Sequence, residues 1–280
     1  MIDFGVLMMP FKFDFMINAF AISAMISVPT ALLSCFLVMK GWALMGDAIS
    51  HAVLPGIILA YIFGIPLIFG AFASGMICAV LTGFLSNNSR VKPDTVMGVV
   101  FSGMFGIGMI LYSFVHSNVH LDSILFGNIL GIGTDEITTV AVLAFSVSLV
   151  IIMKWKDLLL YSFDPVQAQA SGLAVNRLYY GLLTILSMTI ITTLAATGLI
   201  LAVGLLIAPG AIAFLVARSF ATMLWFSVII CMISMLSGTY LSFFLDSAPA
   251  PTIVLVLTGI FVIVFFRKMV LSSINSKRAI

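Results

Sequence analysis

Charged residues are scarce in this chain of 280 residues. Lys, Arg, Asp and Glu together make up 8% of the sequence and hydrophobic residues 62%, and the mean hydropathy is +1.28. Soluble domains carry about 25% charged residues because their surfaces face water. A soluble globular fold, a disordered chain and a coiled coil are therefore excluded, and a net charge of +2 does not indicate nucleic-acid binding. The composition indicates a polytopic membrane protein.

Cysteines and catalytic motifs are also sparse. The three cysteines, Cys35, Cys78 and Cys231, lie inside apolar runs without metal-ligand spacing, which predicts packing residues and excludes a disulfide scaffold. The sequence contains no GxxxxGK[ST], HExxH or GxSxG motif, and so it indicates neither a P-loop nor a recognised hydrolase site. We expect a transport subunit rather than an enzyme, with any ATP hydrolysis on a separate subunit.

Long apolar runs make up most of the chain. A helix that crosses about 30 Å of hydrocarbon needs about 20 apolar residues, and nine segments approach this length, although eight or ten spans also fit. We therefore predict an all-α membrane fold that forms one transmembrane domain over residues 1–280. The predicted spans are 15–39, 48–63, 66–86, 95–115, 136–153, 178–196, 198–216, 221–245 and 251–267.

Basic residues alternate with uncharged connections along the chain. With nine spans, the basic sites that follow the first span fall on one side, and Lys and Arg are retained on the cytoplasmic side. This predicts a multi-pass membrane protein with a cytoplasmic C-terminus, and a longest polar connection from about Lys154 to Arg177. The basic sites are Lys40, Arg90, Lys92, Lys154, Lys156, Arg177, Arg218, Arg267, Lys268, Lys277 and Arg278.

Asp47 and His51 are ionisable residues next to a predicted span, where such groups usually pair or serve a pathway. Their i,i+4 spacing places both on one helix face. A carboxylate and an imidazole together suit manganese, iron(II), zinc or cobalt, and a second copy of the pair could complete such a site. The alternative is a structural pair at a helix start. Pro55 and Gly56 predict a helix break just after the pair.

Three further polar residues are weaker candidates. His116 and His120 lie in a predicted external connection, where they form either a metal-capture site or an ordinary solvated loop. Asp246 lies at a predicted external interface, where it faces a partner protein or caps the next helix.

The segment from Phe163 to Leu173 has the pattern of a short capped helix. Asp164 suits the N-cap, Pro165 the first helical position and Gly172 the stop after the last turn. The small residues Ala168, Ala170 and Ser171 leave room for another protein to approach. The sequence by itself leaves open whether this helix docks a partner or only connects two spans.

The run KGWALMGDAISHAVLPG, from Lys40 to Gly56, closely resembles the signature of the metal-specific ABC importer permeases. Its Gly-Asp-Ala-x-Ser-His-Ala-x-x-Pro-Gly core is specific, and the similarity continues along the chain. The whole is most similar to the Yfe/Sit-type manganese and iron systems. The other resembling segments are Leu125–Gly131, Phe163–Leu173, Leu206–Ala211 and Leu241–Asp246.

The resemblance implies a type II-like ABC importer permease of the bacterial cytoplasmic (inner) membrane. In that family, the residues that match Asp47 and His51 coordinate the transported ion, and the segment near 164–174 is the helix that docks on the ATPase. The implied partners are a second permease chain, identical or related, two ATP-binding subunits, an external metal-binding protein and the lipid bilayer. The metal is cargo, manganese or iron(II), and no permanent cofactor is implied.

Alternative functions remain at this point. A zinc importer of the same family is one, because zinc accepts the same ligands. Another is an ATP-independent metal channel or secondary transporter, and a third is an intramembrane metalloenzyme, for which the sequence supplies no evident general base.

Overall fold

The computed structural model describes residues 8–42, 44–114, 129–131 and 134–278. Across these residues the chain is helical and contains no β-strand. Two short 3-10 helices, Met9–Lys12 and Ile129–Gly131, accompany eleven α-helices. The α-helices are α1 Asp14–Lys40, α2 Met45–Ala52, α3 Leu54–Phe63, α4 Leu67–Asn88, α5 Pro93–Phe114, α6 Thr134–Phe163, α7 Pro165–Ala170, α8 Val175–Thr197, α9 Leu199–Val216, α10 Phe220–Leu245 and α11 Pro249–Arg278.

Eight helical segments within the described ranges are long and apolar enough to cross a membrane. They match eight of the nine predicted spans and confirm the all-α membrane fold. The predicted span 48–63 is formed by α2 and α3 in succession, Met45–Phe63. The remaining predicted span, 198–216, is α9, whose apolar stretch Leu201–Val216 is shorter.

The predicted polar connection from Lys154 to Arg177 is wrong at its start. The α6 helix continues through Lys154 to Phe163, because its polar residues alternate with apolar residues that pack inward. Lys154 pairs with Asp157 at 3.1 Å, one turn along the same helix, while Leu158 and Tyr161 are buried. The connection between the spans is thereby reduced to α7 and a few flanking residues.

The α1 helix lies at the centre of the fold and packs against α6, α9 and α10. Its buried face carries small polar residues, among them Ser23, whose Oγ lies 3.2 Å from Thr239 Oγ1 of α10. Small residues allow helix backbones to approach closely in a membrane, and their hydroxyls bond across the interface. The cysteines are all free and buried, which confirms that they are packing residues.

Ser34 of α1 supports a weak point in α9. Pro209 lies inside α9 and has no N–H to continue the helical hydrogen bonds. The Ser34 hydroxyl accepts a hydrogen bond from the Gly210 N–H at 2.9 Å and donates one to the Ile207 carbonyl at 3.2 Å. A Cβ on Gly210 would lie 2.6 Å from Ser34, so only glycine permits this approach.

Candidate functional site

The short helix α2 carries Asp47 and His51 and packs against α4, α5, α8 and α9. Its close approach to α9 depends on Gly46, because a Cβ there would lie 3.0 Å from Leu206 Cδ1. Asp47 is in the first turn of α2, where the helix dipole stabilises a negative charge. The residues around the pair, including Ala48 and Ile49, are buried. The backbone beneath the pair is therefore held firmly.

The two ionisable side chains meet on the open face of α2. His51 Nε2 lies 3.4 Å from Asp47 Oδ1, and the side chains are 29% and 36% exposed respectively. The pair is thus accessible from outside this chain. Two ligand atoms about 2.1 Å from one metal ion, at tetrahedral or octahedral angles, stand about 3.0–3.4 Å apart. The observed separation fits a shared ion and also fits a direct pair between the two side chains.

Two aromatic residues of α5 hold the imidazole of His51. The ring of Phe101 stacks on it at a centroid distance of 5.8 Å, and Phe105 contacts it edge-on at 5.5 Å. Sequence reasoning missed both residues. Their i,i+4 spacing shows that they share a helix face, but nothing in the sequence indicates that this face meets His51.

The expected break after the pair is present but mild. The α2 helix ends at Ala52, and α3 begins at Leu54, with Val53 still in helical geometry at φ −68° and ψ −27°. Pro55 removes the N–H that would bond to the His51 carbonyl. Gly56 has a packing role, because a Cβ there would lie 2.0 Å from the Gly70 carbonyl oxygen of α4.

The short helix α7 follows α6 directly. The Asp164 carboxylate accepts hydrogen bonds from the N–H groups of Val166 and Gln167, and Pro165 is at the first helical position. Gly172 ends the segment in the left-handed conformation, with φ of +80°. The capped helix indicated by the sequence is therefore confirmed as a local structure.

The chain matches the ABC 3 transport family over residues 12–268. It belongs to this family. The permease is 50% identical over 260 residues to the chelated iron transport system membrane protein YfeD of Yersinia pestis, covering 93% of this chain and 88% of YfeD. It is 43% identical over 254 residues to the manganese transport system membrane protein MntB of Synechocystis sp., covering 91% of this chain and 83% of MntB.

A solved structure agrees with this assignment. The permease superposes on a chain of PsaBC from Streptococcus pneumoniae, solved in complex with Fab, with a TM-score of 0.82 and 34% identity. The match covers 91% of the permease and 92% of that chain. The resemblance inferred from Lys40–Gly56 is confirmed: the chain is a multi-pass membrane permease of the ABC metal transporters.

The surface of α7 in this permease is partly apolar. Phe163 is 75% exposed and Val166 is 76% exposed, and Ala170 and Ser171 are also exposed. The prediction that Ala168 leaves room for a partner is wrong, because this residue is fully buried in the permease's own core. Ala168 lies one turn after Asp164. This side of α7 packs against α6 and α8, and so the side chain faces inward.

The other candidate residues do not join the pair. Among the described residues, no cluster of three or more His, Cys, Asp or Glu side chains that could hold a metal occurs. Asp246 is exposed and ends α10 in the left-handed conformation, with φ of 48°. The next residue, Ser247, contacts the first turn of α11, with its Oγ 2.8 Å from Thr252 Oγ1. His116 and His120 lie outside the described residues.

Proposed function

We propose that this permease carries manganese or iron(II) into the cell as part of an ATP-driven importer. The proposal rests on the Asp47–His51 pair. Its 3.4 Å separation suits one shared ion, and its partial exposure leaves room for further ligands. Carboxylate and imidazole form the donor set that these ions accept, and the named relatives handle iron and manganese. Those names favour manganese and iron over zinc.

The pair alone is an incomplete site for a divalent ion. Two side chains are too few for tight binding, and no third His, Cys, Asp or Glu side chain among the described residues joins them. We propose that a second permease chain, identical or related, brings a matching pair to the open face of α2. The resulting site has up to four protein ligands and binds the ion moderately, which suits transport because the ion must also leave. The metal is cargo, and no permanent cofactor is needed.

The proposed cycle uses partners on both sides of the membrane. An external metal-binding protein delivers the ion to Asp47 and His51 of the paired permeases. Two ATP-binding subunits dock at α7, where exposed Phe163 and Val166 supply an apolar contact. ATP binding moves α7, and the permease pair then opens the ion site to the other side of the membrane. Release of ADP and phosphate returns the permease pair to its starting state. In this proposal α7 and the C-terminus are both cytoplasmic.

Metal uptake by the complete transporter tests the proposal. Radiolabelled manganese uptake is compared between wild type, Asp47→Ala and His51→Ala at matched membrane levels, with iron and zinc as competitors. Both variants should lose uptake while retaining the ATP-binding subunits. Asp157→Ala is the control, because it removes a carboxylate that pairs only with Lys154 in the described structure.

Three outcomes would contradict the proposal. Normal uptake in both variants would make the pair structural. Uptake without ATP would indicate a channel or secondary transporter. Uptake of radiolabelled zinc in preference to manganese and iron would assign a zinc importer.

A further inference from the structure

Lys40 ends α1 in an unusual environment at the α7 end of α6. Its Nζ lies 3.8 Å from the centroid of the Tyr161 ring and donates a hydrogen bond to the Tyr161 carbonyl at 3.4 Å. The Trp42 ring centroid lies 5.6 Å from the same Nζ. Lys40 is only partly exposed, and Tyr161 is buried. One lysine therefore joins the ends of two transmembrane helices.

The Tyr161 carbonyl needs this donor because of Pro165. In a continuing helix, the carbonyl of residue 161 would accept from the N–H of residue 165, but proline has none. The preceding carbonyl, of Leu160, is satisfied by the Asp164 N–H at 2.9 Å. Lys40 thus replaces the missing donor at the step from α6 to α7. Its positive charge also suits the negative ends of both helix dipoles.

Lys40 is connected just as directly to α2. Gly41 ends α1 with φ of 70°, and the Trp42 N–H donates to the Leu37 carbonyl at 2.9 Å. The Met45 N–H then donates to the Trp42 carbonyl at 3.0 Å, at the start of α2. Asp47 follows two residues later. Backbone hydrogen bonds therefore join Trp42 both to the end of α1 and to the start of α2.

The helix that follows α7 reaches the same corner. Tyr179 of α8 contacts the Trp42 ring edge-on at a centroid distance of 5.8 Å. Tyr161 precedes α7, and Tyr179 follows it. Both arms of the segment that carries α7 therefore contact the Lys40–Trp42 turn, which leads into the Asp47–His51 helix.

We infer that Lys40 is the positioning residue that couples α7 to the metal pair. This role rests on the proposed function, in which the ATPase moves α7. Movement of α6 and α8 would pass through Tyr161 and Tyr179 to Lys40 and Trp42, and from there to the start of α2. Lys40 is not a member of the Asp47–His51 pair and lies outside α7. Its loss should separate ATP hydrolysis from metal movement rather than abolish either binding step.

Coupling efficiency is the measurement that tests this role. The complete transporter is reconstituted in liposomes with metal-loaded binding protein, and manganese uptake and ATP hydrolysis are measured in the same vesicles. Lys40→Met should retain the ATP-binding subunits and hydrolysis, while uptake per ATP falls about tenfold, as expected for loss of a desolvated cation–π contact and hydrogen bond. Lys40→Arg keeps both interactions and should restore uptake per ATP to within about twofold.

Matched variants separate coupling from a general effect of charge or folding. Lys154→Met removes a lysine from the same part of α6 whose Nζ pairs with Asp157, and it should behave as wild type. Tyr161→Leu removes the ring but keeps the carbonyl that accepts from Lys40, so it should reproduce part of the Lys40→Met defect, whereas Tyr161→Phe should not. The Lys40→Met/Tyr161→Leu double variant should be little worse than Lys40→Met alone, because the ring contact that Tyr161→Leu removes is already lost with Lys40.

Several results would overturn the inference. Wild-type uptake per ATP in both Lys40→Met and Tyr161→Leu would show that the contact does not couple. Loss of the ATP-binding subunits from Lys40→Met would assign Lys40 to assembly. If Lys40→Met does not accumulate in the membrane, uptake per ATP in Tyr161→Leu tests the inference instead, and a wild-type value there would overturn it. A wild-type transporter without ATP-dependent uptake would instead contradict the proposed function itself.

Discussion

The imidazole of His51 lies almost parallel to the ring of Phe101, with an interplanar angle of 26° and a centroid distance of 5.8 Å. The second aromatic contact, from Phe105, is nearly perpendicular at 83°. Together they confine the ring that carries Nε2, the atom nearest Asp47. A ligand ring held by its surroundings loses less freedom when it binds an ion.

Phe101→Leu and Phe105→Leu should therefore weaken metal capture without removing a ligand. Leucine keeps apolar bulk but not the flat contact, so we expect the metal concentration for half-maximal uptake to rise about three- to tenfold. Uptake titrations at matched membrane levels measure this. Phe265→Leu, in α11, removes an aromatic residue that contacts Phe261 and Phe266 and serves as the control. Unchanged titrations for both α5 variants would refute the positioning role.

Gly56→Ala should destabilise the permease, because the new methyl group would overlap the Gly70 carbonyl of α4. Overpacking of this kind costs about 1–3 kcal/mol. Thermal unfolding in detergent measures the change. Gly181→Ala in α8 is the matched control, since a Cβ there meets nothing within 4 Å. Equal melting temperatures for the two variants would show that α3 and α4 can separate freely.

Ser34→Ala should also lower stability, by about 1–3 kcal/mol, because it removes the partner of the buried Gly210 N–H and of the Ile207 carbonyl. Ser237→Ala provides the comparison. Its hydroxyl bonds to the Ile233 carbonyl of its own helix at 2.6 Å and lies on an exposed part of α10, so its loss should change the melting temperature little. A smaller effect for Ser34→Ala than for Ser237→Ala would contradict the bridging role.

Asp164→Ala removes the N-cap of α7 and should cost about 1 kcal/mol of local stability. If α7 docks the ATP-binding subunits, fewer of them should copurify with this variant. Asp164→Asn keeps a capping oxygen and should retain more. Co-purification from matched membranes measures both, with Asp157→Ala as a control on the neighbouring helix. Full retention of the subunits in Asp164→Ala would indicate that docking does not depend on the cap.

Several features of this permease follow from its sequence because they depend on local chemistry. Span length depends only on the thickness of the hydrocarbon region, and so eight of the nine predicted spans were located correctly. The proximity of Asp47 and His51 follows from helical periodicity. The capped turn from Asp164 to Gly172 follows from side chains that bond to their own backbone.

Contacts between distant helices depended on the tertiary structure. In a soluble helix a polar face marks the surface, but helices in lipid are apolar all round. The sequence therefore does not indicate which face of α5 meets His51, why Gly56 must be glycine, or that Ala168 faces inward. The boundary at Lys154 was misplaced for a related reason, because charged residues can continue a helix beyond the apolar region.

The Lys40–Tyr161 contact shows most clearly which features follow from the sequence and which depend on the tertiary structure. The two residues are 121 positions apart, and no local pattern relates them. Pro165 leaves the Tyr161 carbonyl without its helical donor, a consequence that can be read from the sequence. Only the packing of α1 against α6 decides that Lys40 supplies the donor, because that choice depends on which side chain reaches the carbonyl in space.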